Sequence, residues 1–396
     1  MSAPHTIVVI GASYGGLPVA HALLKDALPT SGKDYKLVLV NPSEEFYWKV
    51  GAPRAIIRPE MLSMDQALLN FLPTFEKYGD KFQFIKGKVT AIEPTSKTVE
   101  VNTGDKIHYD QVVIASGTYF DNDLWSTSRG TDALKQEVSD LHKRLPSAES
   151  IMVGGGGPCG VETAGELGEA YGGKKEIILL SGADRLLHKP RNQAPSKLSQ
   201  QMLEKMGVTV THKVRVQSVA KEGEKTIVTL DNGETKTVDI YIGAVGDKPN
   251  NSFVPKDWLD EKGRVKTDAN TLRVDVPGAA GAYCVGSIAS YSDGSILDTK
   301  LAYTAAVESV KLDLSGESKW NIEPMSRADA NINTDAGPRT KKIYKKIQSE
   351  MLFVPVGSQQ GVGLAFGWKL PSFAIKMAKA KDYMIGNAPK LIEGQA

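Results

Sequence analysis

Cysteine, long apolar runs and net charge are all scarce in this chain, and each shortage removes a class of protein. Cys159 and Cys284 are the only cysteines in 396 residues. They are too few for a disulfide framework and lack the C-x-x-C spacing of redox and metal motifs. No metal is expected, and a reducing, intracellular compartment is the simpler reading. No stretch approaches the ~18 consecutive apolar residues that a membrane-spanning helix needs. A net charge of +2 gives no general attraction for polyanions, so nucleic acid is not an expected partner. With so short a stretch ahead of Thr6, no signal or transit peptide is expected, nor, with Ser2 in place of glycine, N-myristoylation. A cytoplasmic protein of two or three domains with ample core is the expectation.

Glycine, in contrast, is abundant, and two clusters of it follow apolar β-type runs. Thr6-Ile-Val-Val-Ile10 leads into Gly11-Ala12-Ser13-Tyr14-Gly15-Gly16, and Ser150-Ile-Met-Val153 leads into Gly154-Gly155-Gly156-Gly157-Pro158-Cys159-Gly160. A helix-like run follows each. One such loop is weak evidence. Two in a strand-loop-helix context imply two dinucleotides on one polypeptide, because each loop offers a tight turn, close backbone approach to a pyrophosphate and a helix N-terminus that favours anions. That combination points to hydride transfer between a flavin and a nicotinamide.

The pattern around each loop is the same. Tyr35-Lys-Leu-Val-Leu-Val40 reads as a buried strand, and at its end Asn41 stands where an acid usually grips a ribose diol. Residues 45–54 form an aromatic-rich loop with two cations, Lys49 and Arg54, which reads either as a packed surface loop or as a flavin-facing one. Short strands over residues 82–101 read as a meander, and Tyr109-Asp110-Gln-Val-Val-Ile114 runs into Ala115-Ser116-Gly117. The second half repeats this order, with strand 176–180, a helix near 196–206, paired strands within 215–230 and a closing strand before Gly246. Loop, strand, helix, meander and closing strand therefore occur twice.

With these motifs and Gly281-Ala-Tyr-Cys-Val-Gly286-Ser287, the chain resembles the two-dinucleotide flavoproteins that include NADH dehydrogenase-2, apoptosis-inducing factor and ferroptosis suppressor protein 1. The resemblance covers nearly the whole chain. It implies an α/β fold with two Rossmann-like dinucleotide-binding domains, β-meander insertions and a C-terminal extension. The FAD domain would take residues 1–120 and 247–318, the NAD(P) domain residues 121–246, and a C-terminal domain residues 319–396. FAD would lie against Gly11, Ser13, Gly15, Gly16, Asn41, Lys49, Arg54, Val89, Ala115, Gly117, Gly246, Gly286 and Ser287. The nicotinamide coenzyme would lie on Gly155, Gly157 and Gly160. The sequence departs from the family at Ser13 for the middle glycine, at Asn41 for the ribose acid, and at Ser287 for the acid expected on the ribityl chain. The second ribose strand ends at Ser181-Gly182 without an acid, and Arg185 follows. Arg185 reads as a partner for the 2′-phosphate of NADPH or as a solvated helix-end charge, so NADPH and NADH both stay open.

For catalysis, Glu162 falls in the first turn after the second loop, and in the family the matching carboxylate lies near the flavin and nicotinamide rings. Glu166, one turn on, reads as helix surface. A helix from about residue 370 to 385 would place Leu370, Phe373, Met377 and Met384 on one stripe flanked by Lys369, Lys376 and Lys381. Such a stripe is core, or an interface helix on anionic lipid. The family resemblance puts a functional lysine of the quinone site at Lys379. The function implied is FAD-dependent oxidation of NAD(P)H with a quinone-like or other small electron acceptor. A tailoring oxidoreductase acting on a small metabolite and a non-catalytic scaffold are the alternatives, and a homodimer is compatible with either.

Overall fold

The computed structural model describes residues 3–316, 344–346 and 349–395. The basic stretch Arg339-Thr-Lys-Lys-Ile-Tyr-Lys-Lys346 of the sequence lies mostly outside these. Two parallel sheets dominate. In the first, the strands are ordered Ala282–Cys284, Gln111–Ile114, His5–Ile10, Tyr35–Asn41 and Phe82–Lys86. Ile10 lies in register with Val40 on one side and Ile114 on the other. The apolar runs are buried on both faces, as a parallel sheet covered by helices requires. The alternating strand Phe82–Lys86 pairs parallel with Tyr35–Asn41. It is therefore the edge of this sheet rather than part of a meander. An edge strand half open to solvent shows the same period-two pattern as an antiparallel one, which is why pattern alone misplaced it.

The second sheet is ordered Val208–His212, Glu176–Ser181, Ser150–Gly154 and Ile240–Gly243, all parallel. Each sheet carries a three-stranded antiparallel meander. The first comprises Val89–Glu93, Thr98–Val101 and Lys106–His108, and the second Val216–Glu222, Lys225–Leu230 and Thr235–Val238. The chain passes between the sheets through Thr118–Tyr119 and returns through Lys248–Pro249, and these two short strands pair antiparallel. Ala282–Cys284 then rejoins the first sheet.

A small antiparallel sheet, Leu352–Pro355, Gly361–Ala365 and Trp368–Lys369, packs on the helix Pro158–Tyr171. The contact is close: a Cβ on Gly165 would stand 2.7 Å from the Gly357 nitrogen, so only glycine permits it. The following helix is shorter than the stripe of residues 370–385 suggested. An α-helical turn, Ser372–Ile375, runs into a π-helical turn, Lys376–Ala380, and Tyr383 and Met384 then adopt positive φ and end it. Its inward side is Ile375, Ala380 and Tyr383, all fully buried, while Phe373 (70 % exposed) and Met377 (75 % exposed) point outward. The stripe is thus surface rather than core.

Candidate active site

The first glycine loop is fixed by close backbone packing. Gly11 has φ +103°, and a Cβ there would lie 2.5 Å from the Ala115 carbonyl oxygen; one on Gly16 would lie 1.7 Å from the Gly11 oxygen. Side chains at either position would break the turn. From the neighbouring strand ends, residues 115–117 and 285–287 converge on this loop. Val285 sits 3.2 Å from where a Gly15 Cβ would be. The Gly286 N–H donates to the Tyr291 hydroxyl (3.2 Å), and Ser287 Oγ pairs with Thr118 Oγ1 (3.3 Å). Gly117, with φ +63°, lies against the same serine hydroxyl. Ser13 is half-buried within the loop. This is the carboxyl end of the parallel strands, where open α/β sheets bind ligands.

Several residues expected at the FAD have their surroundings within the protein defined. Asn41 Oδ1 accepts from the Ala12 N–H (3.0 Å), and its Nδ2 donates to the Ser43 carbonyl (2.7 Å). It thereby ties the strand end to the first loop. Val89 belongs to the buried meander core. Arg54 is a correction to the flavin-facing reading. It is 1 % exposed, its Nε and Nη2 fork onto the Glu166 carboxylate at 3.1 and 2.8 Å, its Nη1 donates to the Lys381 carbonyl (2.8 Å), and its guanidinium lies 4.6 Å over the Tyr383 ring. All three guanidinium nitrogens thus donate to protein, because a buried charge must be paired where it stands. Lys49 has no ion pair among the described residues, and burial pulls its ammonium down to about 8. Gly246 is exposed in a turn with φ +78° and no atom near it.

The second loop repeats the first. Gly155 has φ +130°, a Cβ on it would stand 2.7 Å from the Ala244 oxygen, and one on Gly160 would stand 1.8 Å from the Gly155 oxygen. Gly157 caps the helix Pro158–Tyr171 with open space around its Cα. Gly156, not singled out in the sequence, is pressed against Ser181 Oγ at 2.4 Å from its absent Cβ. Arg185 turns back on its own loop, donating to the His188 carbonyl (2.9 Å) and lying 3.5 Å from Asp184.

A polar cluster forms where the aromatic loop, the second-loop helix and the C-terminal turn meet. Glu162 is the fifth residue of its helix, one turn deeper than expected, and is 4 % exposed. Lys379 Nζ stands 2.5 Å from Glu162 Oε1, donates also to the Phe353 carbonyl (3.3 Å), and lies 5.6 Å over the Tyr383 ring. Burial raises the Glu162 carboxyl above the ordinary range, and the Lys379 charge opposes this. One turn on, Glu166 is fully buried against Arg54 and accepts from Tyr383 Oη (3.1 Å), so it is core rather than helix surface. Trp48 Nε1 holds the Tyr383 carbonyl (2.8 Å). The π-helical turn is what presents Lys379 here, in keeping with the frequent use of such turns at functional sites. Cys159 lies beside this pair, but burial pushes its thiol up, so it is no nucleophile. Tyr383 carried no sequence signal beyond its spacing of four from Lys379.

Comparison with known proteins decides the family. The family model for pyridine nucleotide-disulphide oxidoreductases matches residues 5–307. The chain belongs to this family. It is 33 % identical over 416 residues to oxidoreductase phnG of Penicillium herquei, covering 98 % of this chain and 96 % of that protein. It is 24 % identical over 393 residues to ferroptosis suppressor protein 1 of Taeniopygia guttata, covering 96 % and 94 %. The sulfide:quinone oxidoreductase of Aquifex aeolicus shares the fold, with a TM-score of 0.63 at 16 % identity, over 79 % of this chain and 78 % of that one. As a pyridine nucleotide-disulphide oxidoreductase, the chain is a flavin-dependent NAD(P)H oxidoreductase that uses FAD and NADPH or NADH. Its residues fit that pair: both loops keep glycine wherever a Cβ would fill the turn. No cysteine pair flanks the junction, so the disulfide relay in the family's name has no counterpart here.

Proposed function

We propose that this oxidoreductase passes reducing equivalents from NAD(P)H to a quinone-like small molecule that docks at the junction of the second-loop helix and the C-terminal turn. The observation that carries the reading is the buried Lys379–Glu162 pair. Bound FAD supplies the two-electron step from nicotinamide to acceptor. The protein's own part is positioning and proton supply, since a quinone reduced by two electrons takes up two protons. Lys379 Nζ is an N–H donor held in place by Glu162 and the Phe353 carbonyl. Glu162, with its carboxyl raised by burial, is suited to exchange a proton with that amine. Residues 11–16 and 285–287 would hold FAD, Gly155, Gly157 and Gly160 the coenzyme pyrophosphate, and Lys49, a half-buried cation without an ion pair, would balance negative charge near the first loop.

The same reading places the outward face of the C-terminal segment against lipid. Phe366, Trp368, Phe373 and Met377 are each at least 70 % exposed, and Lys369, Lys376 and Lys381 lie near them in the sequence. Exposed aromatic and sulfur side chains interleaved with lysine match an anionic bilayer surface, where a lipophilic quinone would also be found. Among the described residues no helix is long and apolar enough to cross a membrane.

The test is steady-state NAD(P)H oxidation by purified, flavin-bearing protein with a panel of quinones beside non-quinone acceptors such as oxygen and ferricyanide. Turnover with quinones well above oxygen supports the reading. Turnover confined to other small metabolites favours a tailoring oxidoreductase.

A further inference from the structure

In a dinucleotide fold the adenosine ribose lies at the tip of the strand after the glycine loop, here Glu176–Ser181. An acid at that tip binds the ribose diol of NADH and repels the 2′-phosphate of NADPH. Here the tip is Ser181, whose hydroxyl is turned to the carbonyls of Ala183 (3.4 Å) and Arg185 (3.2 Å). Gly182 follows, and the space its side chain would take belongs to Arg215. A Cβ on Gly182 would lie 2.6 Å from Arg215 Cγ and 2.8 Å from its Nε.

The placement of Arg215 is fixed by backbone. The Lys213 N–H donates to the Ala183 carbonyl (3.0 Å) and the Val214 N–H to the Ser181 carbonyl (3.2 Å). The Arg215 N–H donates to Asp231 Oδ1 (2.9 Å), so that carboxylate is held by the main chain. The Arg215 guanidinium is exposed and makes no hydrogen bond or ion pair among the described residues. Lys213, also exposed, stands two residues away. Arg185, the arginine the sequence offered for this role, has its Nη2 on the His188 carbonyl and its Nη1 3.5 Å from Asp184, and its Nε is buried without a partner among the described residues.

We infer that Arg215 is the residue that receives the 2′-phosphate of NADPH and makes this chain NADPH-selective. An arginine fork matches a phosphate bidentately, and this one lies across the ribose tip with its donors uncommitted. The inference rests on the assignment of the second loop to the pyridine nucleotide.

Titration calorimetry of the flavin-bearing protein with NADP+ and NAD+ tests it without turnover. Wild-type protein should bind NADP+ more tightly than NAD+. Arg215→Ala should weaken NADP+ by about tenfold while leaving NAD+ affinity and melting temperature unchanged, Arg215→Lys should recover part of the loss, and Arg185→Ala should leave both affinities unchanged. Equal weakening of both coenzymes by Arg215→Ala, or NADP+ loss carried by Arg185→Ala, overturns the role of Arg215 alone. Failure of both coenzymes to bind wild-type protein overturns the second-loop assignment and this inference with it.

Discussion

At the scale of single residues, the Glu162–Lys379 pair concentrates the chemistry. Each side chain is nearly buried, with side-chain exposures of 6 % and 16 %, so the pair is held largely out of water. Glu162→Gln keeps a hydrogen-bonding partner for Lys379 but removes the negative charge. We expect it to slow NAD(P)H-dependent acceptor reduction by about a hundredfold, the scale of an ångström-sized misplacement, with FAD content and melting temperature retained. The pH profile should change as well. Burial raises the Glu162 carboxyl, so wild-type kcat/KM should fall on acidification through that raised pKa, and the Gln variant should lack this limb. A variant with wild-type rate and an unchanged pH profile would leave the pair a structural strut. Arg54 shows the opposite lesson: a cation on an aromatic loop looked available for a ligand, yet its fork on Glu166 and stacking on Tyr383 commit it to the core.

At the scale of elements, His21 couples the first-loop helix to the end of the chain. It is 2 % exposed and stacks 3.9 Å from Phe75. Nε2 lies 2.7 Å from the Ile392 carbonyl, so it must carry the proton, and Nδ1 then accepts from Tyr78 Oη (3.0 Å). Burial lowers its imidazole to about 4, against the Ile392 bond, which favours the charged form. With a folded pKa below the ordinary ~6.5, the unfolded chain binds the extra proton between those values. Stability should therefore fall as pH is lowered from about 6.5 toward about 4, by on the order of 3 kcal/mol. Melting temperatures of wild type and His21→Asn across that range check this; the variant should be less stable near neutrality and show a flatter decline. Faster amide exchange in the helix Ala388–Ile392 on acidification would mark the release of the latch. An equally steep decline in the variant would assign the acid sensitivity to other groups.

At the scale of the whole molecule, the C-terminal sheet and turn serve two sides at once. Inward, they deliver Lys379 and Tyr383 to the junction; outward, they show Phe366, Trp368, Phe373 and Met377 to solvent. If that face meets lipid, the full chain should co-float with anionic vesicles and not with neutral ones, and salt should weaken the binding. The double variant Trp368→Ser/Phe373→Ser should lower partitioning by at least about tenfold, because each buried aromatic side chain contributes about 2 kcal/mol, with the melting temperature unchanged. Absence of wild-type binding at low salt would exclude a lipid surface as the partner.

The fold class was legible in the sequence because its signals are local. A glycine loop between an apolar strand and a helix is dictated by backbone sterics within a few residues, and two copies of that unit specify two parallel sheets. What the chemistry needs was legible only in part. Glu162 and Lys379 could each be singled out, one by its place after a loop and the other by family resemblance, but their meeting across 217 positions follows from the C-terminal turn packing on the second-loop helix. Phe82–Lys86 took its place in a parallel sheet, Arg54 and Glu166 were buried together, the apolar stripe faced solvent, and the Arg215 side chain came to lie over Gly182. These outcomes share one physical cause. Pairing of charges, coverage of faces and freedom of a donor are settled by what lies opposite in space, and only the tertiary structure decides that.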